Sequence, residues 1–171
     1  MKHVSTVHYP APAAAVLRMF TDPAFHIRKL EMAGIQAFEV LEHHSNGDEF
    51  SIRVQRRVMV KLPGMGRDST LTRVIHAETW NTRTARGHVD VTLPGIPLSM
   101  HGDNLLEDRG AGCELRYDWT VTSTLPLIGR VLEKFIVGRM DAEAAPEHRA
   151  GAELVAAYLD AGESVVLAGA L

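Results

Sequence analysis

The stretch of sequence that decides the fold covers residues 113–140 and reads CELRYDWTVTSTLPLIGRVLEKFIVGRM. Its first part alternates strictly between two sets of side chains: Cys113, Leu115, Tyr117, Trp119 and Val121 against Glu114, Arg116, Asp118, Thr120 and Thr122. A period of two indicates a half-buried β-strand. From Pro126 the period becomes helical, with an apolar stripe of Ile128, Val131, Leu132, Phe135, Ile136 and Met140. The pattern therefore predicts a strand that leads into a long amphipathic helix.

The residues before this stretch supply the other predicted elements. Residues 2–9 alternate like a strand, and two short helices are predicted over residues 13–20 and 23–32. Asp22-Pro23 separates the two helices, because the residue before a proline leaves the helical region. Alternating segments between residues 35 and 109 add five more strands. The order predicts an α+β fold in which a seven-stranded, curved antiparallel sheet wraps around the long C-terminal helix.

The first predicted hairpin determines which side chains face the inside of the sheet. Ser45-Asn46-Gly47-Asp48 is a strong signal for a type I′ turn. A two-residue loop at Asn46-Gly47 places two sets of side chains on one face: Ile35, Ala37, Glu39, Leu41 and His43 opposite Val58, Arg56, Val54, Ile52 and Phe50. Both strands then direct their more apolar set inward, so the turn chemistry agrees with the pattern.

The later strands extend the predicted inner face. A three-residue turn at Thr82–Thr84 aligns the fourth and fifth strands, and the inner set is then Leu71, Arg73, Ile75, Ala77, Val89, Val91 and Leu93. In the sixth strand the inner set is Leu98, Met100, Gly102, Asn104 and Leu106. Gly102 has no side chain, so we expect it to leave space beside an aromatic ring.

Composition excludes several classes of function. The chain has 171 residues, of which 46% are hydrophobic and 23% charged, and its net charge of -3 gives no basis for binding nucleic acid. A single cysteine excludes an intramolecular disulfide and a cysteine-based zinc site. The first ten residues lack the apolar core of a signal peptide, and no apolar run is long enough to span a membrane. We therefore expect a cytoplasmic protein without an integral membrane segment.

The chain is predicted to form one domain over residues 1–162, followed by a tail over residues 163–171. Pro146 interrupts the apolar stripe of the last helix, and a proline inside a helix removes a backbone hydrogen bond. We therefore expect a kink or break near Ala145. Gly162 is expected to end the helix.

Three charged residues lie on the predicted inner face. They are Glu39 and Arg56, which are diagonal neighbours across the first hairpin, and Arg73 in the fourth strand. A buried charge is costly unless it has a partner, so each of them needs an opposite charge, water or a ligand. They are either polar anchors for the head group of an apolar ligand or ion pairs at the open rim of the sheet.

A second candidate group combines Asn104, Tyr117 and Trp119 on the same face. Tyrosine and tryptophan join a large apolar area to one polar atom, which suits the wall of a binding pocket. The alternative is ordinary core packing against the last helix.

The sequence contains no recognisable catalytic or metal-binding motif. Nine histidines are present, but His43 and His44 point to opposite faces of a strand and no HExxH motif occurs. His88-Val-Asp90 and His101-Gly-Asp103 are typical of a solvated strand face. No GxSxG elbow or phosphate-binding loop exists, and Cys113 lies inside a strand. We therefore predict no metal, no cofactor and no assigned catalytic residue.

Two local motifs resemble a known superfamily. Pro12-Ala-Ala-Ala-Val16 through Asp22-Pro23 is similar to the early helix of START-like proteins, also called the SRPBCC, helix-grip or Bet v 1-like superfamily. Residues 126–133 (PLIGRVLE) resemble an uncharacterised actinobacterial subfamily of it. The resemblance implies an apolar cavity between the sheet and the long helix, with a lipid-, polyketide- or steroid-like ligand. The superfamily also includes aromatase/cyclases, so fold alone does not establish function.

The first hypothesis is therefore a binding protein for a hydrophobic small molecule held between the sheet and residues 127–140. The residues expected to line the cavity are Phe50, Ile52, Val54, Met100, Tyr117, Trp119, Val131 and Phe135. Those expected to orient a polar group are Glu39, Arg56, Arg73 and Asn104. The alternatives are a cyclase or dehydratase that uses Glu39 or Tyr117 in the same cavity, and a protein-interaction module whose cavity is filled by side chains.

Overall fold

The computed structural model of the protein describes residues 1–63 and 68–159. Its strands are β1 Lys2–Tyr9, β2 Phe38–Asn46, β3 Glu49–Val60, β4 Thr70–Asn81, β5 Arg86–Thr92, β6 Leu98–Arg109 and β7 Gly112–Ser123. Its helices are α1 Ala13–Phe20, α2 Pro23–Met32, α3 Gly129–Val137 and α4 Met140–Leu154. All seven strands form one antiparallel sheet in the order β1-β7-β6-β5-β4-β3-β2. The predicted fold class is confirmed.

The two short helices begin and end where the sequence predicted. Asp22 is the N-cap of α2: its side chain accepts a hydrogen bond from the Ala24 backbone N–H, and Pro23 occupies the first turn, where its missing N–H has no cost. Gly34 follows α2 with a φ of 81°, a left-handed conformation that suits glycine. Neither these helices nor any other helix in the described ranges is both long and apolar enough to cross a membrane.

The C-terminal helical segment is interrupted at Gly138 and Arg139, and α4 is continuous past Ala145, so the predicted break near Ala145 is wrong and the alternative of a kink stays a prediction. The Arg139 N–H bonds to the Ile136 carbonyl, a tight turn that ends α3 before α4 begins. Pro146 lies inside α4, which continues through it. Gly138 has a low helix propensity and often ends a helix, whereas Pro146 removes only one backbone N–H donor from α4. Gly162 and the predicted tail over residues 163–171 lie outside the described residues.

The register of the first hairpin differs from the prediction by one residue near the turn. Asn46 pairs with Glu49, so the loop is Gly47-Asp48 instead of Asn46-Gly47. Gly47 has a φ of 58° at the first loop position, as a type II′ turn requires. A bulge between Val40 and Glu42 then shifts the pairing again, and Val40 lies opposite Val54. As a result Val40 faces inward in place of the predicted Glu39.

The facing of β4 is opposite to the prediction. Its turn to β5 contains one more residue than expected, because Ala85 adopts a left-handed φ of 52° and Asn81 pairs with Arg86. Alanine rarely takes this conformation, so no residue in the turn signalled the extra length. The inner residues of β4 are Thr72, Val74, His76, Glu78 and Trp80. Ile75 and Ala77, predicted to face inward, belong to the other set.

Strands β5, β6 and β7 face as predicted. Their buried residues include Val89, Val91, Leu98, Leu106, Leu115 and Val121. Gly102 also behaves as expected, since a Cβ atom there would come within 2.9 Å of the Trp119 ring. The strict alternation of these strands left little freedom in register.

The core divides into two lobes that share the sheet. The closed lobe lies beneath α1, α2 and the end of α4, and its largest side chains are Tyr9, Met19, Phe20, Phe25, Phe50 and Trp80. The open lobe lies beneath α3, and its fully buried residues are Leu62, Val74, Val89, Val91, Leu93, Leu98, Val121 and Leu132. Around these the open lobe has a larger set of half-buried apolar residues, including Met100, Trp119, Phe135, Ile136 and Met140. Its apolar surface is therefore only partly covered.

Candidate functional site

A polar cluster lies on the inner face of the sheet where the two lobes meet. In one row across the sheet, Trp80, Gly87, Asn104 and Tyr117 are consecutive register partners. In the next row, the partners are Glu78, Val89, Gly102 and Trp119. The first row borders the closed lobe, and the second leads into the open lobe.

Asn104 is the least satisfied polar side chain of this cluster. It is 2% exposed, yet neither its amide oxygen nor its amide nitrogen has a hydrogen-bond partner among the described residues. A buried amide without partners costs about 1–3 kcal/mol. The space in front of Asn104 therefore favours a group that both donates and accepts hydrogen bonds.

Two indole rings stand beside Asn104, each over a glycine. A Cβ atom at Gly87 would lie 2.9 Å from the Trp80 ring, and one at Gly102 would lie 2.9 Å from the Trp119 ring. Any larger residue at either position would displace its ring. The glycines thus allow two large flat side chains to lie against the sheet on both sides of the amide.

A buried carboxylate occupies the second row. Glu78 is 4% exposed, Trp80 Nε1 donates a hydrogen bond to its Oε1 at 2.6 Å, and His76 Nε2 lies 3.3 Å from its Oε2. Burial alone would raise the pKa of Glu78, but the hydrogen bond with His76 and nearby positive charges hold that pKa below its usual range. Glu78 is therefore an anion inside the protein.

A second carboxylate reaches the cluster from α4. Arg56 Nη1 donates to Glu147 Oε1, and Lys29 Nζ lies 3.4 Å from Glu147 Oε2. Burial would raise the pKa of Glu147, but these two cations lower it to about 2. The Arg56 Nε atom is buried and has no partner in the described part of the chain. The guanidinium thus retains an unused donor.

Tyr117 carries aromatic rings on both sides. Its ring stacks on Trp119 with centroids 5.6 Å apart and on His148 of α4 with centroids 6.4 Å apart. Burial, together with the negative charge of Glu78, raises the pKa of the Tyr117 hydroxyl well above its usual value. Burial also lowers the pKa of His148. At neutral pH the tyrosine therefore keeps its proton.

His26 completes the polar residues but lies deeper in the closed lobe. It is 3% exposed, its Nε2 donates to the Phe20 carbonyl at 2.8 Å, and its ring stacks on Phe50. Burial lowers its pKa to about 4, so it is neutral at physiological pH. It acts as a structural hydrogen-bond donor here.

The structure brings several of the predicted site residues together. Asn104, Tyr117 and Trp119 lie in neighbouring register positions of β6 and β7 at the border of the lobes, and Met100 and Phe135 are half-buried in the open lobe. Arg56 lies on β3 and contacts Glu147 of α4. The predicted lining residues Phe50, Ile52 and Val54 lie instead in the closed lobe, each at most 5% exposed. They are packed against other side chains.

Three predicted site residues are not at the site. Glu39 is exposed because the bulge in β2 turns Val40 inward, and Arg73 is exposed because Ala85 reverses the facing of β4. Val131 is 56% exposed, because α3 directs its neighbour Leu132 into the core. These three predictions of position are wrong.

Four residues near the cluster were not anticipated from the sequence: His76, Glu78, Glu147 and His148. Because Arg73, Ile75 and Ala77 were predicted to face inward, the alternation assigned His76 and Glu78 to the outer face of β4, and α4 was considered only for its apolar positions. One signal was available: Glu78 and His76 lie two and four residues before Trp80, so they share its face. A large aromatic residue indicates the buried face better than Ile75 or Ala77 does.

Two concavities of the described surface lie away from the polar cluster. One, of about 380 Å³, lies between α2 and α4 beside Met32 and Pro146. The other, of about 260 Å³, lies on the outer face of β5, β6 and β7. The arrangement near α3 is therefore a partly covered apolar surface that would have to widen around a guest.

One family profile matches most of the chain. The profile of the family described as "Protein of unknown function (DUF2505)" matches residues 5–155. No curated protein matches the chain. Most of the described sequence, including every residue of the polar cluster, falls within the match.

Solved structures share the fold at low sequence identity. TTHA0849 from Thermus thermophilus is 20% identical with a TM-score of 0.62, and the match covers 92% of this chain and 98% of that one. Ara h 8.0201 is 13% identical with a TM-score of 0.60 and the same coverage of 92% and 98%. The ZhuI aromatase/cyclase from Streptomyces sp. R1128 is 15% identical with a TM-score of 0.52, covering 100% and 99%. These likenesses confirm the predicted helix-grip fold.

Proposed function

The chain belongs to the family of proteins of unknown function described as DUF2505. From the partly covered open lobe and the polar cluster beside it, we propose that the protein binds a hydrophobic small molecule in the open lobe. The apolar body of the ligand, which is lipid-, polyketide- or steroid-like, packs against Met100, Trp119 and Phe135. Its polar group reaches Asn104, Tyr117 and Arg56. The protein itself needs no cofactor for this role.

The observation that carries the proposal is the pair of unsatisfied amide atoms of Asn104. They are buried next to half-exposed apolar side chains, and Arg56, which contacts Glu147 of α4, has a buried Nε without a partner among the described residues. Ligand pockets typically combine apolar walls with a few polar groups that set orientation. A hydroxyl or carbonyl on an apolar ligand would supply the missing hydrogen bonds.

The incomplete burial of the open lobe supports the same position. Apolar area returns about 25 cal/mol per Å² when it leaves water, so covering half-buried side chains favours binding. The closed lobe offers no comparable gain, because its aromatic side chains already cover one another, as in the Phe20–Trp80 stack at 5.4 Å. A fold neighbour that is an aromatase/cyclase is consistent with a small-molecule guest on this fold.

Methionine methyl groups give a direct test. Met100 and Met140 belong to the open lobe, Met19 is fully buried in the closed lobe, and Met59 is 63% exposed. Protein labelled at the methionine methyl carbons is titrated with 8-anilinonaphthalene-1-sulfonate, an apolar probe with one anionic group. We expect the Met100 and Met140 signals to move and to saturate at one equivalent, while those of Met19 and Met59 stay.

A variant tests the polar contact. Asn104→Leu keeps the side-chain size but removes the amide, so we expect about three- to tenfold weaker probe binding. Equal affinity, or shifts confined to Met59, would contradict the proposed position. Native mass spectrometry of protein from its own host then identifies the natural ligand. A clean apo mass together with unmoved Met100 and Met140 signals would favour the protein-interaction module instead.

A cyclase or dehydratase activity in the same site is the second candidate, and the position of Tyr117 favours it. The residue lies at the border of the lobes, where its ring packs with both clusters of the core. A tyrosine hydroxyl at this place can donate a hydrogen bond to a bound carbonyl or hydroxyl group and so serve as its proton donor. If the protein converts its ligand, Tyr117→Phe should retain binding in the methionine assay and lose turnover. Retained turnover would exclude Tyr117 as the acid.

A further inference from the structure

A cluster of histidine and aspartate side chains lies on the outer face of the sheet, opposite the polar cluster. β5 contributes His88 and Asp90, and β6 contributes His101 and Asp103. The register pairs His88 with Asp103 and Asp90 with His101. Each histidine therefore has an aspartate both along its own strand and across from it, which the two separate His-x-Asp motifs did not reveal.

Asp90 lies between the two imidazoles. His88 Nε2 is 3.3 Å from Asp90 Oδ1, and His101 Nδ1 contacts the same oxygen. The two rings are nearly parallel, with centroids 6.4 Å apart. One ligand atom from each of His88, Asp90 and His101 can be chosen so that all lie within 4.8 Å of one another. Three donors thus converge on one point at the sheet surface.

Asp103 fixes the orientation of the His88 ring. Its Oδ1 lies 3.0 Å from His88 Nδ1. A neutral imidazole has one N–H, so when Nδ1 donates to Asp103 the lone pair of Nε2 faces the Asp90 oxygen. Two lone pairs at this distance need a proton or a metal cation between them. A carboxylate that holds the second nitrogen of a metal-bound histidine is a common support of metal sites.

The backbone beneath the cluster is rigid. β5 and β6 are inner strands of the sheet, and the residues between the ligands, Val89 and Gly102, point inward. Val89 is 1% exposed, and Gly102 lies directly beneath the Trp119 ring. The ligand side chains therefore stand on backbone that cannot easily shift. They are about half exposed, so an ion can reach them from solvent.

We propose that His88 Nε2, the Asp90 carboxylate and His101 Nδ1 form a binding site for a zinc-type divalent transition ion. Tetrahedral zinc with bonds of about 2.0 Å separates its ligand atoms by about 3.3 Å, which the His88–Asp90 contact already matches. Small rotations of the His88 and His101 rings bring His101 Nδ1 to a similar separation from the other two ligand atoms. Three protein ligands leave the fourth position open to water, as in zinc sites that bind further ligands.

The test uses untagged, chelator-treated protein and zinc chloride. Isothermal titration should show one ion per chain with micromolar or tighter affinity. His101→Gln and Asp90→Asn should each weaken binding at least tenfold, and Asp103→Asn should weaken it about tenfold through the orientation of His88. His8→Gln is the matched control, because His8 also lies near a carboxylate, Glu114 at 3.9 Å, but has no second histidine in its pair. The His8→Gln variant should bind zinc with the same affinity as the wild type.

Histidine ring NMR shows where the ion binds. Zinc should move the signals of His88 and His101 and leave those of His3, which contacts Asp141, in place. Circular dichroism verifies that each variant folds, which is expected for exposed side chains. Absence of binding, equal affinity in His101→Gln, or shifts centred on His3 would overturn the proposal.

Discussion

The two lobes of the core use the same sheet in different ways. In the closed lobe, aromatic rings of α1, α2 and β4 pack on one another edge-to-face or stacked, and the set centred on Trp80 excludes solvent. In the open lobe, a single short helix, α3, covers Met100 and Trp119 incompletely, and its own Phe135 is only partly buried. Each lobe contains one of the two tryptophans of the chain, which makes their contributions directly comparable. The comparison indicates that the closed lobe contributes most of the folding stability, whereas the open lobe can rearrange around a ligand.

The polar cluster separates these two environments. Glu78 is held by Trp80 from the closed side, while Asn104 keeps both amide atoms free next to the open side. Satisfied buried groups rigidify a core, whereas unsatisfied ones mark a place where a partner is missing. The polar cluster therefore stabilises the closed lobe through Glu78 and provides hydrogen-bonding groups for a ligand of the open lobe through Asn104.

The largest expected effect compares the tryptophans. Trp80→Ala should lower the free energy of unfolding by about 3–5 kcal/mol, because it opens a large cavity and leaves Glu78 Oε1 without its donor. Trp119→Ala should cost about 1–2 kcal/mol, since its ring is already partly exposed. Urea unfolding followed by far-ultraviolet circular dichroism measures both. Equal losses would remove the distinction between the lobes.

The sequence could predict the strands on the open side better than those on the closed side. β5, β6 and β7 alternate strictly, so Asn104, Tyr117 and Trp119 were assigned to the inner face. The turn gave β4 the wrong orientation, because the facing depends on Ala85, whose left-handed backbone is stabilised only by tertiary contacts, and Trp80 was the one residue of the strand that indicated its buried face. Because the turn contains one additional residue, Glu78, the central charge of the cluster, was predicted to face outward.

The pH dependence of stability should report on the closed lobe. The pKa of His26 is about 4 in the folded protein and 6.5 as a free side chain, so between these values the unfolded chain binds a proton that the native state excludes. Stability therefore falls as pH decreases from 6.5 to 4. At about 1.4 kcal/mol per pH unit the His26 contribution is about 3 kcal/mol.

His26→Gln isolates this contribution, because glutamine can still donate to the Phe20 carbonyl. The variant should lose less stability than the wild type over the same pH interval, measured by urea unfolding at several pH values. His148 has a lowered pKa as well and contributes in the same direction, so His148→Gln serves as the comparison. An unchanged slope in His26→Gln would show that this ring is not held neutral in the closed lobe.

A smaller effect is expected at the ion pair that joins α4 to the sheet. Glu147→Gln leaves Arg56 and Lys29 without their anionic partner, and we expect a loss of about 2 kcal/mol because all three side chains retain some contact with water. Glu143→Gln, which affects the exposed pair with Arg139 on the same helix, is the control and should change stability little. Thermal unfolding distinguishes the two. If Glu147→Gln and Glu143→Gln lost similar amounts of stability, the Glu147 ion pair would contribute no more than an exposed surface pair.

The contacts that attach the helix bearing Glu147 to the sheet could not be predicted from the pattern of that helix. Only Ala150, Gly151 and Leu154 of α4 are buried, so the helix attaches to the sheet through polar contacts as much as through apolar ones. Ser5 Oγ donates to Asp141 Oδ1 at 2.5 Å at one end, and Glu147 pairs with Arg56 in its middle. Hydrophobic periodicity, the main signal in a sequence, does not detect such attachment.

The smallest expected effect separates true members of the site from residues that the sequence pattern wrongly assigned to it. Glu39→Gln and Arg73→Gln change exposed side chains, so each should alter the free energy of unfolding by less than about 0.5 kcal/mol and leave binding of 8-anilinonaphthalene-1-sulfonate unchanged. Arg56→Gln, which removes a buried donor and the partner of Glu147, should weaken binding of the same probe. Fluorescence titration of the three variants measures this difference. If Arg73→Gln weakened binding as strongly as Arg56→Gln, the probe would bind on the outer face of β4 and the open lobe would not be its site.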